Sequence, residues 1–468
     1  MSANQKTGST WAPVDWIAVA GITLVAGALR LAWLTHPDRF VFDEYYYARE
    51  ACWYLLHSVP LCGAIHVVVH PPLGKWLIAT GIAAFGYNPL GWRAASVLTG
   101  TVTVAIVYLL ARRILRSTAG ASLAAGLLAI DFLHVVHSRV AMLDVFVTLF
   151  SVATLLFCVY DRDRPVATSS GGTASVFSHP WRIAAGGAAG AAVASKWPGA
   201  FALLTALFLT IIWQLSARRS DGRGRVIFRT LREEGPSIGL WLLMLPVGLY
   251  VASHAGTLSG NLFASPWAED SWLRAVGRQQ VSMISFHSVA SRNDLAQSPP
   301  WLWILGKSPV IYFLAIEEST ASAIVALGNP FVWWLSIPAL AYAATRFIRR
   351  LDLRSAEAII TIGFVFSYAP WFALIRLRGS YLFHFLPTIP FLCLALGYSI
   401  TTIPHPRRRT AVAAAIALGS LFFFIYVHPV LVGTPRPQAL PGAFGSPLHN
   451  CEVLQNFVIP ENLKPKSC

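Results

Sequence analysis

Charge is scarce in this sequence: Asp, Glu, Lys and Arg make up 12% of its 468 residues, about half the share in an ordinary soluble domain. A water-soluble fold of this length could not cover its surface with so few, which excludes a free globule. Acids are the rarer sign, 21 against 36 Lys plus Arg. The resulting net charge of +15 does not point to nucleic acid, because the cations are scattered over short loops with no basic arm or nucleic-acid motif. No GxGxxG or Walker loop is present to cradle a nucleotide. No A-x-A-type cleavage site follows the first apolar run, so that run reads as a retained helix. No internal repeat and no soluble accessory domain stand out. The His residues lack close ligand spacing, and convergent carboxylates are too few for a hard cation. No metal ligands are assigned, although a divalent metal on Asp43 or Glu44 stays open.

What the sequence has is apolar length. Hydrophobic residues are 55% of the chain, in repeated runs long enough to cross ~30 Å of hydrocarbon as helices. Runs near 14–34, 91–110, 119–133, 140–160, 183–195, 198–214, 237–256, 329–345, 355–373, 380–399 and 410–428 predict an all-α polytopic membrane protein of about eleven transmembrane helices. Segments 1–13, 111–118, 161–182, 215–236, 346–354 and 402–409 hold 20 Lys and Arg in 82 residues. By the positive-inside rule these are cytoplasmic, which puts the N-terminus inside and the C-terminus outside.

Three large segments then face outward: 35–90, 257–310 and the tail 429–468. In the first, Asp43 to Leu56 and Gly74 to Phe85 read as interfacial helices. The second carries Trp267, Trp272, Trp301 and Trp303, an aromatic-belt composition. The Pro- and Gly-rich tail reads as irregular cover over the outer face, and Ala167–Ser178 as a flexible cytoplasmic linker. Cys158 and Cys393 sit in apolar runs as small hydrophobes. Cys52 with Cys62, and Cys451 with Cys468, could each close a local disulfide in an oxidising compartment.

A transporter would place ionisable groups near the bilayer midplane. Here they gather at the outward helix ends, as in a catalytic cleft. Asp43 and Glu44 follow the first helix; His70, Lys75 and Arg93 precede the second. Asp131, His134, His137, Arg139 and Asp144 crowd the turn between helices three and four. Arg376, Arg378, Tyr381 and His384 occupy the turn between helices nine and ten. Adjacent carboxylates on a helix point about 100° apart, so Asp43 and Glu44 need not do the same job: one could accept a proton while the other orients a cation. The plainer reading of Asp43 is a helix N-cap. Arg93 is either an interfacial anchor or a bidentate partner for a carboxylate or phosphate. Lys196, in an Ala-rich setting, needs either a short outward turn or a buried partner, and a lipid phosphate would satisfy it. Arg376 and Arg378 read as phosphate ligands or as snorkelling anchors.

Several segments together resemble the protein O-mannosyltransferase family of membrane-embedded, GT-C type glycosyltransferases. Phe42-Asp43-Glu44 with Tyr46-Tyr47 is similar to the family's FDE-x-YY motif, and His70-Pro71-Pro72-Leu73-Gly74-Lys75-Trp76 to its HPPLGKW signature. Arg93 fits the Arg opening the second helix. Ser138-Arg139-Val140-Ala141-Met142-Leu143-Asp144 resembles SR-x-x-LLD with Met at the first Leu. Ser195-Lys196-Trp197-Pro198-Gly199 resembles KW-[TS]-G with Pro at the third place. Leu327-Gly328-Asn329-Pro330 and Phe383-His384-Phe385-Leu386-Pro387 fit later family segments.

The resemblance implies a catalytic domain over 1–428, with a plasma-membrane location. It implies a donor, polyprenyl phosphate mannose, and acceptors that are Ser or Thr hydroxyls of secreted or membrane proteins emerging from the secretion channel. Inversion at the sugar carbon is implied, with Asp43 as base and Glu44 and Arg93 in support. Substrate would be bound among His70, Lys75, Arg139, Asp144, Lys196, Arg376, Arg378, Tyr381 and His384. No cofactor beyond the lipid-linked sugar is implied. Eukaryotic members carry a MIR domain in the large later loop; 257–310 is too short for one, which fits the bacterial, actinobacterial branch. After Val427-His428-Pro429 the tail departs from the family pattern. The alternatives are a GT-C enzyme that glycosylates a glycolipid or cell-wall glycan and, from another class, a membrane transporter.

Overall fold

The computed structural model describes residues 11–56, 59–63, 68–164, 176–218, 223–255, 272–289, 296–317 and 319–437. Trp267, Cys451, Cys468, the tail beyond 437 and most of the 167–178 linker lie outside the described residues.

The protein is a multi-pass membrane protein, a bundle of helices whose ends build two polar layers. In chain order the helices are α1 (Pro13–Leu31), α2 (Glu44–Leu56), α3 (Val59–Cys62), α4 (Leu73–Phe85), α5 (Pro89–Leu115), α6 (Thr118–Ala129), α7 (Phe132–His137), α8 (Asp144–Asp163) and α9 (Pro180–Ser195). After these come α10 (Trp197–Ala217), α11 (Arg223–Glu233), α12 (Gly235–Ala252) and α13 (Trp272–Val289). The last four are α14 (Pro330–Arg350), α15 (Ala356–Leu374), α16 (Leu382–Thr401) and α17 (Pro406–Val432).

Among the described residues, nine helices are long and apolar enough to span a bilayer: α1, α5, α8, α10, α12, α14, α15, α16 and α17. All eleven expected runs are helical, but two fall short of a full crossing. The run near 119–133 breaks at Asp131 into α6 and α7, and the 12 residues of α6 rise only ~18 Å. Helix α9 is limited to 16 residues by Pro180 and by the extended backbone of Lys196. Its Ala- and Gly-rich sequence lets neighbours approach closely: a Cβ on Gly186 would lie 1.8 Å from the Trp241 carbonyl oxygen. Helix α16 forms the buried centre, against α6 and α14, whereas α1 and α17 are largely exposed at the periphery.

The all-α expectation needs one correction. Two strands, β1 (Val310–Ile316) and β2 (Thr320–Ala326), pair antiparallel and are extended by β3 (Arg436–Pro437). The hydrophobic runs that define spanning helices carry no signal for so short a pair of strands. A bulge falls at Tyr312, between the paired residues Ile311 and Phe313. The second large segment also contains α13, whose sequence is too polar to have been read as a membrane run.

One end of the bundle is locked by Asp15, which accepts from Arg112, Tyr108 and Thr118. At the same end Arg182 bridges Asp161 and Glu234. The opposite end is reached by the C-termini of α1 and α9 and the N-termini of α5, α8 and α10. The expected site residues lie there.

Candidate active site

The site grows from the link between α1 and α2. Phe42 takes a positive φ of 50°, a region L-residues rarely enter, and the chain turns there to start α2. The turn sends Asp43 and Glu44 to different places. Glu44 is fully buried. Its carboxylate takes Nε of Arg93 on Oε1 and Nη2 on Oε2, each at 2.9 Å. The same two oxygens accept the backbone N–H groups of Ala141 and Val41. Arg93 spends its remaining donors on the carbonyls of Leu34, Pro37 and Arg39. A planar guanidinium with five fixed donors suits this use, which an ammonium could not reproduce. Asp43 is only half-buried, and its Oδ2 accepts the Tyr47 hydroxyl at 3.2 Å. Burial pushes the Tyr47 phenol well above its ordinary range, and the Asp43 charge adds to this, so the phenol stays a proton donor to the carboxylate.

The turn at 138–144 ties three parts together. Ala141 meets Glu44. Arg139 donates through Nη1 to the Leu29, Arg30 and Ala32 carbonyls, closing the C-terminus of α1. Asp144, in the first turn of α8, receives Lys196 Nζ on both oxygens at 3.0 and 2.8 Å. The turn fits because Gly100 of α5 leaves room for it: a Cβ there would lie 2.0 Å from Ser138 Oγ. Lys75 is wholly buried, ion-paired with Glu50 of α2 and donating to the His70 carbonyl at 2.7 Å. It pins the His70–Pro72 corner onto α2.

His70 faces Tyr47 and His287 of α13, with ring centroids at 5.9 and 5.1 Å. Burial first, and then the cations Lys196, Lys75 and Arg378, hold its imidazole well below the usual range. His287 is pushed down to about 4, chiefly by burial, and its Nε2 donates to the Val69 carbonyl at 3.0 Å. Arg378 lies over the Trp371 ring at 5.6 Å. Burial lowers its pKa, while Asp144, Tyr381 and Tyr47 act in the other direction. His384 stacks on Trp371 at 4.1 Å and accepts the Tyr381 N–H, and Tyr381 stacks on Phe383.

Asp43, Glu44, His70, Arg93, Asp144, Lys196, Arg378, Tyr381 and His384 thus belong to one interlinked region at one end of the bundle. Lys75 and Arg139 border it with their donors turned to protein groups. Arg376 is exposed on the surface.

Four contributors escaped the reading of the sequence. Tyr47 lies within the motif already singled out. His287 sits in a segment read only as interfacial. Phe42 and Tyr312 stack at 4.3 Å, nearly parallel, and the Tyr312 hydroxyl is hydrogen-bonded to His137 Nε2 at 2.8 Å. Nothing in the sequence signals Tyr312, because a bulge re-aims it.

A small pocket opens between α8, α10, α15 and α16. Its wall is mostly apolar, from Leu155, Phe201, Ala206 and Phe391, and it shares Trp371 and His384 with the polar cluster. Among the described residues no group of three or more His, Cys, Asp or Glu converges as metal ligands would.

Residues 88–255 match the family model described as dolichyl-phosphate-mannose-protein mannosyltransferase. Residues 273–441 match the C-terminal four-transmembrane region of protein O-mannosyltransferase. A polyprenol-phosphate-mannose–protein mannosyltransferase of Mycobacterium tuberculosis is 34% identical over 90% of this chain and 89% of its own. The chain belongs to the protein O-mannosyltransferase family. A Corynebacterium glutamicum relative of the same description is 29% identical over 92% of each chain. The Saccharomyces cerevisiae Pmt1-Pmt2 complex bound to the sugar donor superposes with a TM-score of 0.71 at 16% identity, covering 91% of each chain. ArnT from Cupriavidus metallidurans bound to undecaprenyl phosphate gives 0.55 at 18% identity, covering 87% of this chain and 64% of its own. These solved structures establish the GT-C fold, and the family membership establishes a mannosyltransferase.

Proposed function

We propose that this enzyme transfers mannose from polyprenyl phosphate mannose to Ser or Thr hydroxyls of exported proteins, at the outer face of the plasma membrane and with inversion. The acceptor oxygen attacks the mannose anomeric carbon, the bond from that carbon to the phosphate oxygen breaks, and polyprenyl phosphate departs. Asp43 takes the hydroxyl proton. The observation that carries this reading is the split between the two acids: Glu44 has its lone pairs committed to Arg93 and two backbone amides, whereas Asp43 is half-buried beside Tyr47.

Neutralising a departing phosphate calls for fixed cations. Besides Arg93, whose donors go to Glu44 and backbone carbonyls, the cations of the cluster are Lys196 and Arg378, and the apolar wall beside Trp371 and His384 offers a surface for the prenyl chain. Outward orientation has two supports. The Arg-rich segments adjoin the bundle end opposite Asp43, and a Cys52–Cys62 disulfide, suited to an oxidising compartment, staples the helix that Asp43 precedes.

The test supplies membranes with labelled polyprenyl phosphate mannose. Wild type puts label into protein. Asp43→Asn lowers transfer by about 10²–10⁴-fold, the usual worth of a positioned base, with donor binding retained. Wild-type rates in Asp43→Asn remove Asp43 from the mechanism, and label entering glycolipid in place of protein overturns the acceptor assignment.

A further inference from the structure

Helix α11 is not one of the spanning helices, yet it exposes large apolar side chains. Ile227, Phe228 and Leu231 are 57%, 66% and 66% exposed. At ~100° per residue they form one stripe. Val226, Thr230 and the adjoining Glu234 form a second stripe, which is buried against the protein. Arg225, Arg229 and Arg232 form a third, all exposed, with Arg229 also near Glu233 Oε1 at 3.5 Å. The three stripes are spaced about a third of a turn apart. A helix docked only on protein would need one apolar face; this one has a docked face, an apolar face exposed among the described residues and a cationic face.

The ends of the helix fix where those faces lie. It is bracketed by the C-terminus of α10 and the N-terminus of α12, both spanning helices, so it sits at the bilayer boundary. It is on the side away from Lys196, since α10 begins beside Lys196 and ends at Ala217. The anchor is a chain of ion pairs: Arg218 to Glu233 and Glu234, and Glu234 to Arg182. This network ties the C-terminal end of the helix to α9 and α10, and the apolar and cationic stripes lie side by side on its exposed surface.

We propose that α11 is a surface-lying helix that binds the anionic phospholipid headgroups of the leaflet opposite the active site. Ile227, Phe228 and Leu231 insert, and Arg225 and Arg232 pair with phosphate. An amphipathic helix with Arg on its polar border and Phe and Leu on the other is the pattern such surfaces take, and charge complementarity selects an acidic leaflet.

The test is hydrogen–deuterium exchange of the full chain in nanodiscs of phosphatidylcholine alone or mixed with phosphatidylglycerol. At ~1 kcal/mol per Arg near an anionic surface, two Arg residues predict exchange in 223–233 slowed by up to roughly 30-fold when phosphatidylglycerol is present. The Arg225→Gln/Arg232→Gln variant should lose that difference, while α8 and α9 amides, which report folding, stay unchanged. Equal exchange in both lipids overturns the proposal, as does a difference that survives in the double variant. Protection that depends on two chains sharing a disc in phosphatidylcholine alone would assign the face to a second copy and also overturn it.

Discussion

Glu44 and Arg93 are joined through both carboxylate oxygens at 2.9 Å, 49 residues apart in sequence and buried together. The pair holds the α1–α2 link against the N-terminal end of α5, and so fixes the residue preceding Glu44, Asp43, for which the role of base is proposed. Breaking a buried pair by removing one partner costs about 3–5 kcal/mol, because the other charge is left uncompensated. Glu44→Gln should therefore lower the melting temperature and cut transfer. Arg93→Lys should not rescue, since one ammonium cannot span two carboxylate oxygens and three carbonyls. A melting curve and a transfer assay on both variants check this; wild-type stability in Arg93→Lys would refute the bidentate role.

Lys196 and Asp144 give the second prediction. If Lys196 meets the donor phosphate, Lys196→Met removes a charge-assisted contact worth ~1.5–3 kcal/mol. The donor KM should rise by about 10–100-fold. Asp144→Asn should act mainly on stability, by leaving the Lys196 ammonium buried without its counter-ion. A loss of stability in Lys196→Met with an unchanged donor KM would confine this lysine to a structural pair.

How much of this was readable beforehand follows from what each signal needs. The spanning helices were legible because length and hydropathy are local properties, and so were the acids and cations, each marked by a short motif. Their partners were not. Lys75 and Glu50, or Arg139 and the end of α1, are joined by folding rather than by spacing, so the sequence could place Lys75 and Arg139 near the substrate but could not show their donors committed elsewhere. Lys196 illustrates the intermediate case: its sequence setting demanded a buried partner or a phosphate, and the structure supplies Asp144. Asp131 reads as one of the charged residues of the turn between the third and fourth runs; that it caps a short helix of its own there and accepts from Trp333 depends on a partner 202 residues away.

The third prediction concerns pH. His287 is pushed down to about 4 from an ordinary 6.5, first by burial, and His70 is lowered for the same reason. Between about pH 6.5 and 4 the unfolded chain binds protons at these positions that the folded chain does not, so stability rises with pH across that window. The melting temperature should fall as pH drops from 7 toward 4, and His287→Gln should flatten the fall. A profile unchanged by His287→Gln would exclude this histidine as a contributor.

Tyr312 gives the last prediction. The bulge in β1 turns its ring onto Phe42, the residue with positive φ immediately before Asp43, and its hydroxyl onto His137. The ring packs flat on that of Phe42, and the hydroxyl is hydrogen-bonded to a buried imidazole nitrogen. Tyr312→Phe keeps the stack and leaves the buried His137 Nε2 without its hydrogen-bond partner, a cost of about 1–3 kcal/mol, so stability should fall while kcat falls little. Tyr312→Ala also removes the support under Phe42. If that support sets the Asp43 carboxylate, kcat should drop well below that of Tyr312→Phe while donor KM stays near wild type, because Lys196 and Arg378 are untouched. Steady-state kinetics of the two variants separate these roles, and equal kcat in both would mean that the stack does not position the base.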